Sequence, residues 1–575
     1  MPSYLHPGVY VQEVPSAVQP IQGVSTSTAA FIGIASQGPV PGTLLPTGQP
    51  AQPVLVTSFT EYTRQFGSFR TDSFLTYAVQ AFFQNGGQSL YIVRVIPPVP
   101  AGPPTSPPAN AVSIATAVVG SGAGALNVSA ASQGAWGGTV ASGGIYIQIA
   151  PSSDGDANNF KVLVMFGATA LAALGNIVET YDRVTYDGSP SLAAGYPNPA
   201  DYARIDVNSG SEYIAITNDF TARPANTPLD PISGKPQIVA LTGGSDGDST
   251  TVNFVGEPAA DNTVTGTGLY ALDKITDVNL IAIPGQGDIP TVNAGMDYCK
   301  NQRPLQDCFF IGDMGSVVGA GGATSVQNAR RDDVTPTIRT IADARNFATV
   351  GIGGVQLDKS AGDFGAVYFP WMYAQDPIGA GLNPTILLPP SGFMAGIYAR
   401  IDNSRGVFKA PAGTEAGVAG ALAPYVVVSD TEQDQLNPVM VNVLRSVPGS
   451  GLVVWGARTI GSDASWRYIP VRRVAIFLRV SIYNGIQWAV FEPNDEPLWA
   501  SLRLNLRSFM LTQFRAGAFQ GSTPDDAFFV MCDKTTTTST DQDNGVVNIL
   551  VGFAPLKPAE FVVLKLSQIV NQAAS

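Results

Sequence analysis

Asn279-Leu280-Ile281-Ala282-Ile283-Pro284, Cys308-Phe309-Phe310-Ile311-Gly312 and Gly365-Ala366-Val367-Tyr368-Phe369-Pro370 decide the fold class. Each is a short, nearly unbroken apolar run closed by Pro or Gly, which reads as a strand buried on both faces. Residues 292–300 and 334–345 between them read as helices. Ser391-Gly392-Phe393-Met394-Ala395-Gly396-Ile397-Tyr398-Ala399-Arg400 opens like a third, with a serine cap. Strands alternating with helices predict a mostly parallel sheet covered on both sides.

The same character holds upstream, where Ala29-Ala30-Phe31-Ile32-Gly33 reads as a strand, 74–84 as a helix ended by Asn85-Gly86-Gly87, and 90–95 as a strand. Between the two α/β stretches, residues 97–108 contain seven prolines, an extended linker. Beyond it come short strands at 145–149, 160–165, 211–216 and 237–241, with one helical candidate at 168–174. Because α/β patterning resumes afterwards, this β-rich module reads as an insertion. The expected organisation is an N-terminal strand arm and hinge (1–28, with 16–28 the hinge) and a first α/β part (29–98). The insertion (99–250), a second α/β part (251–433) and a C-terminal domain (434–575) follow. The last carries a strand at 452–455, a helix at 471–485, an amphipathic helix at 498–514 and terminal strands at 546–553 and 560–566. The fold class is therefore α/β and α+β, multidomain.

Of 575 residues 31 are Lys or Arg and 44 are Asp or Glu, so 13% carry charge, about half the roughly 25% usual for soluble proteins. A net charge of −13 argues against a nucleic-acid binder. The three cysteines, Cys299, Cys308 and Cys532, form no C-x-x-C pair and suggest neither a disulfide framework nor a zinc site. The N-terminus has no basic or apolar leader, and no eighteen apolar residues run together, so a soluble cytoplasmic product without membrane insertion is expected. Sparse charge on a large ordered chain points to surface that other subunits bury.

Catalytic chemistry finds little to work with. The chain has one histidine, His6, on the N-terminal arm, a poor platform for a triad or a metal site. Gly312-Asp313-Met314-Gly315, running on to Gly319-Ala320-Gly321-Gly322, lacks a following G-K-[ST], and Gly351-Ile352-Gly353-Gly354 is as loose, so both read as surface loops. Asp541-Gln542-Asp543-Asn544-Gly545 begins like a calcium loop but has its glycine fifth and Gly552 at the twelfth position, so a turn is the better reading. The turns at Asp154-Gly155-Asp156 and Ser245-Asp246-Gly247-Asp248 read as solvated. Glu492, Asp495 and Glu496 lie beside prolines on an apparent turn. No enzyme, cofactor or metal is expected.

Charge distribution says more. Residues 451–520 hold eight arginines, no lysine and four acids, a local net of +4 that leaves −17 on the remainder. Arg503 and Arg507 lie one turn apart on the amphipathic helix, whose apolar stripe is Leu498, Leu502, Leu506 and Phe509. Two readings stand: internal pairing with Glu492, Asp495 and Glu496, or a basic face towards an acidic partner. At the N-terminus Val9-Tyr10-Val11-Gln12-Glu13-Val14 reads as a strand without a nearby hairpin partner, which must pair elsewhere or in another chain. The terminal strand Phe561-Val562-Val563-Leu564-Lys565-Leu566 could leave its domain in the same way.

Both ends resemble a known family. Tyr4-Leu5-His6-Pro7-Gly8-Val9-Tyr10-Val11-Gln12-Glu13-Val14 with Pro20-Ile21-Gln22-Gly23-Val24-Ser25-Thr26-Ser27 is similar to the opening of contractile tail sheath proteins. The C-terminal likeness is longer: Trp466-Arg467-Tyr468-Ile469-Pro470-Val471-Arg472-Arg473, Phe491-Glu492-Pro493-Asn494-Asp495-Glu496-Pro497-Leu498-Trp499, Gly517-Ala518-Phe519-Gln520-Gly521, and Gly552-Phe553-Ala554-Pro555-Leu556-Lys557-Pro558-Ala559-Glu560-Phe561. It covers residues 1–35 and 440–570, with Leu241-Thr242-Gly243-Gly244-Ser245-Asp246-Gly247 between. The insertion matches nothing recognisable.

The resemblance implies a sheath core with strand-exchange arms, Val9 to Val14 and Phe561 to Leu566 adding to sheets of neighbouring subunits. It implies that the insertion faces outward and that Arg503, Arg507 and Arg515 are candidates to face an inner tail tube. The implied partners are further copies of the chain in stacked hexameric rings, the tube protein, and baseplate and tail terminator proteins. The implied action is contraction by subunit rearrangement that drives the tube through a target envelope. The setting would be a virion tail assembled in the host cytoplasm, or a released headless injection particle. A carbohydrate-binding or adhesin protein using the insertion is the alternative.

Overall fold

The computed structural model describes residues 20–46, 48–96, 112–138, 144–167, 169–174, 176–186, 203–229, 231, 234–246, 252–261, 263–318, 335–379 and 384–560. Contacts divide the chain into two compact units. The larger comprises Thr26–Ser404 and Pro411–Ile469, and the smaller takes the chain up to Ser25, Arg405–Ala410 and everything from Pro470.

The larger unit is built on an eight-stranded sheet in the order Val54–Val56, Leu90–Arg94, Ala29–Gly33, Leu280–Ala282, Phe309–Asp313, Gly365–Phe369, Val441–Val447, Gly451–Val454. The six inner strands run parallel and an antiparallel strand closes each side. Every residue of Ala29–Gly33, Leu280–Ala282, Phe309–Asp313 and Gly365–Phe369 is buried, as their unbroken apolar runs require. The mostly parallel sheet expected from the sequence is therefore present. Leu90–Arg94 and Leu280–Ala282 flank Ala29–Gly33 in it, so the intervening β-rich segment is an insertion into one domain.

Several boundaries differ for identifiable reasons. The helix expected at 292–300 is Ile289–Asp297, capped by Asp288 on Thr291 with Pro290 in its first turn, and a π-turn, Tyr298–Gln302, continues it. The helix expected at 334–345 is Ile341–Thr349. It starts at the capping box of Thr340 and Asp343, while Thr335–Pro336 is extended and pairs with Val317–Val318. Val441–Val447 and Gly451–Val454 extend the large sheet, so the contact division falls after Ile469 rather than at 434. Helix Ser391–Arg405 packs on Leu75–Gln84 through glycines one turn apart. A Cβ at Gly392 would lie 2.6 Å from Ala78 Cα, and one at Gly396 2.4 Å from Phe82 O.

The insertion is a sandwich. A three-stranded sheet (Ile214–Ile216, Leu126–Ala130, Thr116–Val119) and a four-stranded one (Val239–Ala240, Gly144–Pro151, Phe160–Gly167, Ile177–Val184) share a core of residues such as Val128, Ile147 and Val162. The strand expected at 211–216 is only Ile214–Ile216. Helix Ala203–Gly210 precedes it, its buried Ala203 and Val207 one turn apart. Arg94, buried at the end of a sheet strand, donates to Ala35 O (3.0 Å) and Gly38 O (2.8 Å), and Gly38 N donates to Ser132 Oγ of the insertion (3.0 Å). Backbone carbonyls solvate this guanidinium, and the Gly38–Ser132 bond ties the sandwich to the segment that follows Ala29–Gly33.

Asp313 ends the strand Phe309–Asp313 in a fully buried position. Its Oδ2 accepts from Gly285 N (2.9 Å) and Ser391 Oγ (2.8 Å), its Oδ1 from Ser391 N (2.8 Å). Burial outweighs these donors and raises the carboxyl from 3.8 to about 6. A raised acid stabilises the fold fully below its unfolded pKa, and that contribution is lost as pH rises through the folded one. Wild type should therefore lose about 3 kcal/mol between about pH 4 and pH 7 relative to Asp313→Asn, measured by urea unfolding at both pH values. Equal slopes for the two proteins would refute this.

Candidate assembly surface

The smaller unit pairs helices Ile469–Gly485 and Glu496–Arg515 around Val474, Leu478, Leu506, Phe509 and Met510. Asp495 caps the second helix on Leu498 N and Pro497 sits in its first turn, so it starts two residues before the 498–514 expected. The stripe Leu498, Leu502, Leu506 and Phe509 is buried.

The start of the chain's described part is strapped onto this unit. Ile21 is buried in the same core, Gly23 lies against Phe477 so closely that a Cβ would approach its ring to 2.9 Å, and Val24 N donates to Ser481 Oγ (3.1 Å). Within the larger unit Thr26 Oγ1 donates to Asp402 (2.7 Å) and Thr28 N to Asn279 Oδ1 (3.2 Å). Of the hinge expected over 16–28, the described part, 20–28, is held by these side-chain contacts. Residues Val9, Tyr10, Val11, Gln12, Glu13 and Val14 lie outside the described residues, as do Phe561, Val562, Val563, Leu564, Lys565 and Leu566.

The sequence reading missed the strand Phe528–Met531, although its run Ala527-Phe528-Phe529-Val530-Met531 carried the signal. It pairs antiparallel with Leu550–Phe553, the end of the strand expected at 546–553. Among the described residues this ribbon has two strands and no third. A two-stranded ribbon is marginal alone and leaves two rows of backbone groups open to pairing.

The arginines divide. Arg503 donates from Nη2 to Glu496 (2.6 Å) and from Nη1 to the carbonyl of Cys532, the internal pairing weighed from the sequence. Arg507 pairs with Asp525 (2.8 Å), both largely exposed, a contact worth little in water and easily exchanged. Arg515 is exposed at the helix end. Half-exposed Leu504 lies between Arg503 and Arg507 on the helix.

The remaining sequence candidates have structural roles. Asp541 closes a capping box with Thr538 on the short helix Ser539–Asp543, where a calcium loop was weighed. Asp154 accepts from Asp156 N (3.0 Å) and Asn159 Nδ2 (2.8 Å) within its own turn. Ser245–Asp246 pairs with Val112–Ser113. Ile352 and Val355 bridge across their glycine turn. Cys299, Cys308 and Cys532 are buried free thiols, and burial pushes Cys532 up to about 11. Among the described residues no group of three His, Cys, Asp or Glu could hold a metal, and no helix is long and apolar enough to cross a membrane.

Residues 262–460 match the phage tail sheath protein central domain and 461–569 the phage tail sheath C-terminal domain, together more than half of the chain. The chain belongs to the contractile tail sheath family. This sheath protein is 25% identical over 174 residues to a putative prophage major tail sheath protein of Pseudomonas aeruginosa (strain UCBPP-PA14), a match spanning 30% of this chain and 44% of that relative. Its fold is similar to the sheath of an extracellular contractile injection system, the PVC sheath complex in the contracted state (TM-score 0.51, 20% identity, 100% of each chain). It is also similar to the contracted helical sheath of the anti-feeding prophage (0.51, 20%, 98% of this chain and 100% of that one). The sheath tail protein Lin1278 of Listeria innocua gives 0.53 at 11% identity, over 93% and 96%. Family and fold are those of structural sheath proteins rather than enzymes.

Proposed function

We propose that this sheath subunit polymerises as stacked hexameric rings around an inner tube, with neighbours joined by exchanged strands, and that rearrangement of the rings drives the tube through a target envelope. The observation that carries the reading is the ribbon Phe528–Met531 with Leu550–Phe553, two strands with outer edges unpaired among the described residues. Segments 9–14 and 561–566 have strand character in sequence and lie next to the described residues that begin at 20 and end at 560. Fully extended, the chain from residue 20 to 14 spans about 20 Å, and segment 561–566 begins beyond the Phe519–Pro555 bridge that holds the end of the ribbon. Strands donated from two neighbours would complete a four-stranded sheet and link the subunits through rigid-body motion. Baseplate and tail terminator proteins would bound the polymer, in a phage tail or in a headless particle assembled before release.

Of the basic residues, Arg507 with Leu504 is the better candidate towards the tube, since Arg503 already serves Glu496 and Cys532. Arg507→Glu, co-expressed with its tube protein, should yield sheath and tube that no longer co-sediment, with unchanged melting. Normally sheathed tubes in electron micrographs would assign Arg507 to Asp525 alone. The carbohydrate-binding alternative gains no support from the insertion, whose Trp136 is buried against Tyr213 (6.2 Å between ring centres).

A further inference from the structure

Phe491 is fully exposed and adopts a left-handed backbone conformation, φ +71°, that aromatic residues rarely take. Its surroundings impose this. Before it, Val490 N is bonded to Gln487 O and Ile486 N to Ile482 O, so the chain is fixed to the end of helix Ile469–Gly485. After it, Asn494 is held three ways: its Nδ2 donates to Val546 O (3.1 Å), its Oδ1 accepts from Trp499 Nε1 (2.9 Å), and its carbonyl accepts from Gln542 Nε2. A loop anchored on both sides thus holds an aromatic ring in water with exposed Val490 beside it. Backbone strain kept by the surrounding structure marks a functional position, and a lone projecting aromatic is the form of an interface anchor.

Charge indicates the partner. The knob is flanked by exposed Glu492 and Asp495, an acidic rim around an apolar tip. Helix Glu496–Arg515 begins there and at its other end, about 30 Å away, presents the opposite character. Arg515 is exposed, the chain turns through Gly517, and Phe519 bridges to Pro555, which brings in exposed Leu556 and Lys557. An acidic-rimmed knob and a basic apolar patch at opposite ends of one helix are complementary only between copies. Such a head-to-tail contact generates rings or helical polymers rather than closed dimers. We infer that Phe491 of one subunit seats on the Arg515, Leu556 and Lys557 patch of the next, a contact additional to exchanged strands. The inference rests on the reading of the chain as a self-assembling sheath subunit.

The test is the concentration at which the purified full-length chain assembles, followed by sedimentation and electron microscopy. Phe491→Ser should raise it at least about tenfold without lowering the melting temperature, because the ring has no contact to lose in the monomer. Glu492→Arg should raise it as well, and Glu492→Arg combined with Arg515→Glu should restore it. Wild-type assembly with unchanged values for Phe491→Ser overturns the knob. Sensitivity to Phe491→Ser with no rescue by the charge swap overturns the assigned partner. A wild-type chain that stays monomeric at every concentration overturns the sheath reading and this contact together.

Discussion

Asp307→Ala is expected to destabilise the larger unit by about 3–5 kcal/mol, because it leaves a buried guanidinium without its counter-charge. Arg303 and Asp307, four residues apart in the turn before the strand Phe309–Asp313, are each less than 5% exposed, and they form a two-pronged pair with Nε to Oδ1 at 2.8 Å and Nη2 to Oδ2 at 2.7 Å. Arg303 also donates to Leu272 O (2.6 Å) and Ile275 O (2.8 Å), so its charge joins the 303–307 turn to the 272–275 turn. Burial works against the guanidinium charge, but Cys308 and the Asp307 carboxylate beside it hold it above the usual arginine range. Replacing the pair together, Arg303→Met with Asp307→Leu, should recover much of the loss, since a packed apolar pair pays no desolvation. Urea unfolding measures both. A single variant within about 1 kcal/mol of wild type would show that the guanidinium reaches water after all.

The second large effect concerns assembly. Removing residues 1–19 or 561–575 should leave a monomer with wild-type melting and no tubular polymer at concentrations where the full chain assembles. Cutting after residue 19 matters because Ile21 is part of the core and Val24 bonds Ser481. A cut beyond Ile21 would confuse a folding defect with an assembly defect. Regular tubes from either truncation, seen by electron microscopy, would remove strand exchange from the account.

The α/β unit was legible because burial on both faces of a parallel sheet demands unbroken apolar runs, and 279–284, 308–312 and 365–370 have them. Helix starts were less legible: Thr340 and Asp343 form a capping box that periodicity over 334–345 overlooked. The insertion's topology was illegible in detail, since Ala203 and Val207 are too few apolar residues to announce a helix. Arg503 was found for its charge, and its pairing with Glu496, two turns earlier on the same helix, comes within reach only once the helix has formed. The exposed Phe491 was quoted for a resemblance and not for its exposure. Nothing in a one-dimensional pattern says that an aromatic residue lies in the left-handed region.

The eight-stranded sheet ends, at Gly451–Val454, against a segment of its own chain: Val418 N donates to Leu452 O and Val454 N to Ala416 O. That margin is already occupied in the monomer and has no backbone row to offer a second molecule. On this side of the sheet, edge-to-edge growth is blocked before any other molecule is met. The chain thus carries its own end-stop on one side of its largest sheet, so any contact made there goes through side chains and not through backbone pairing.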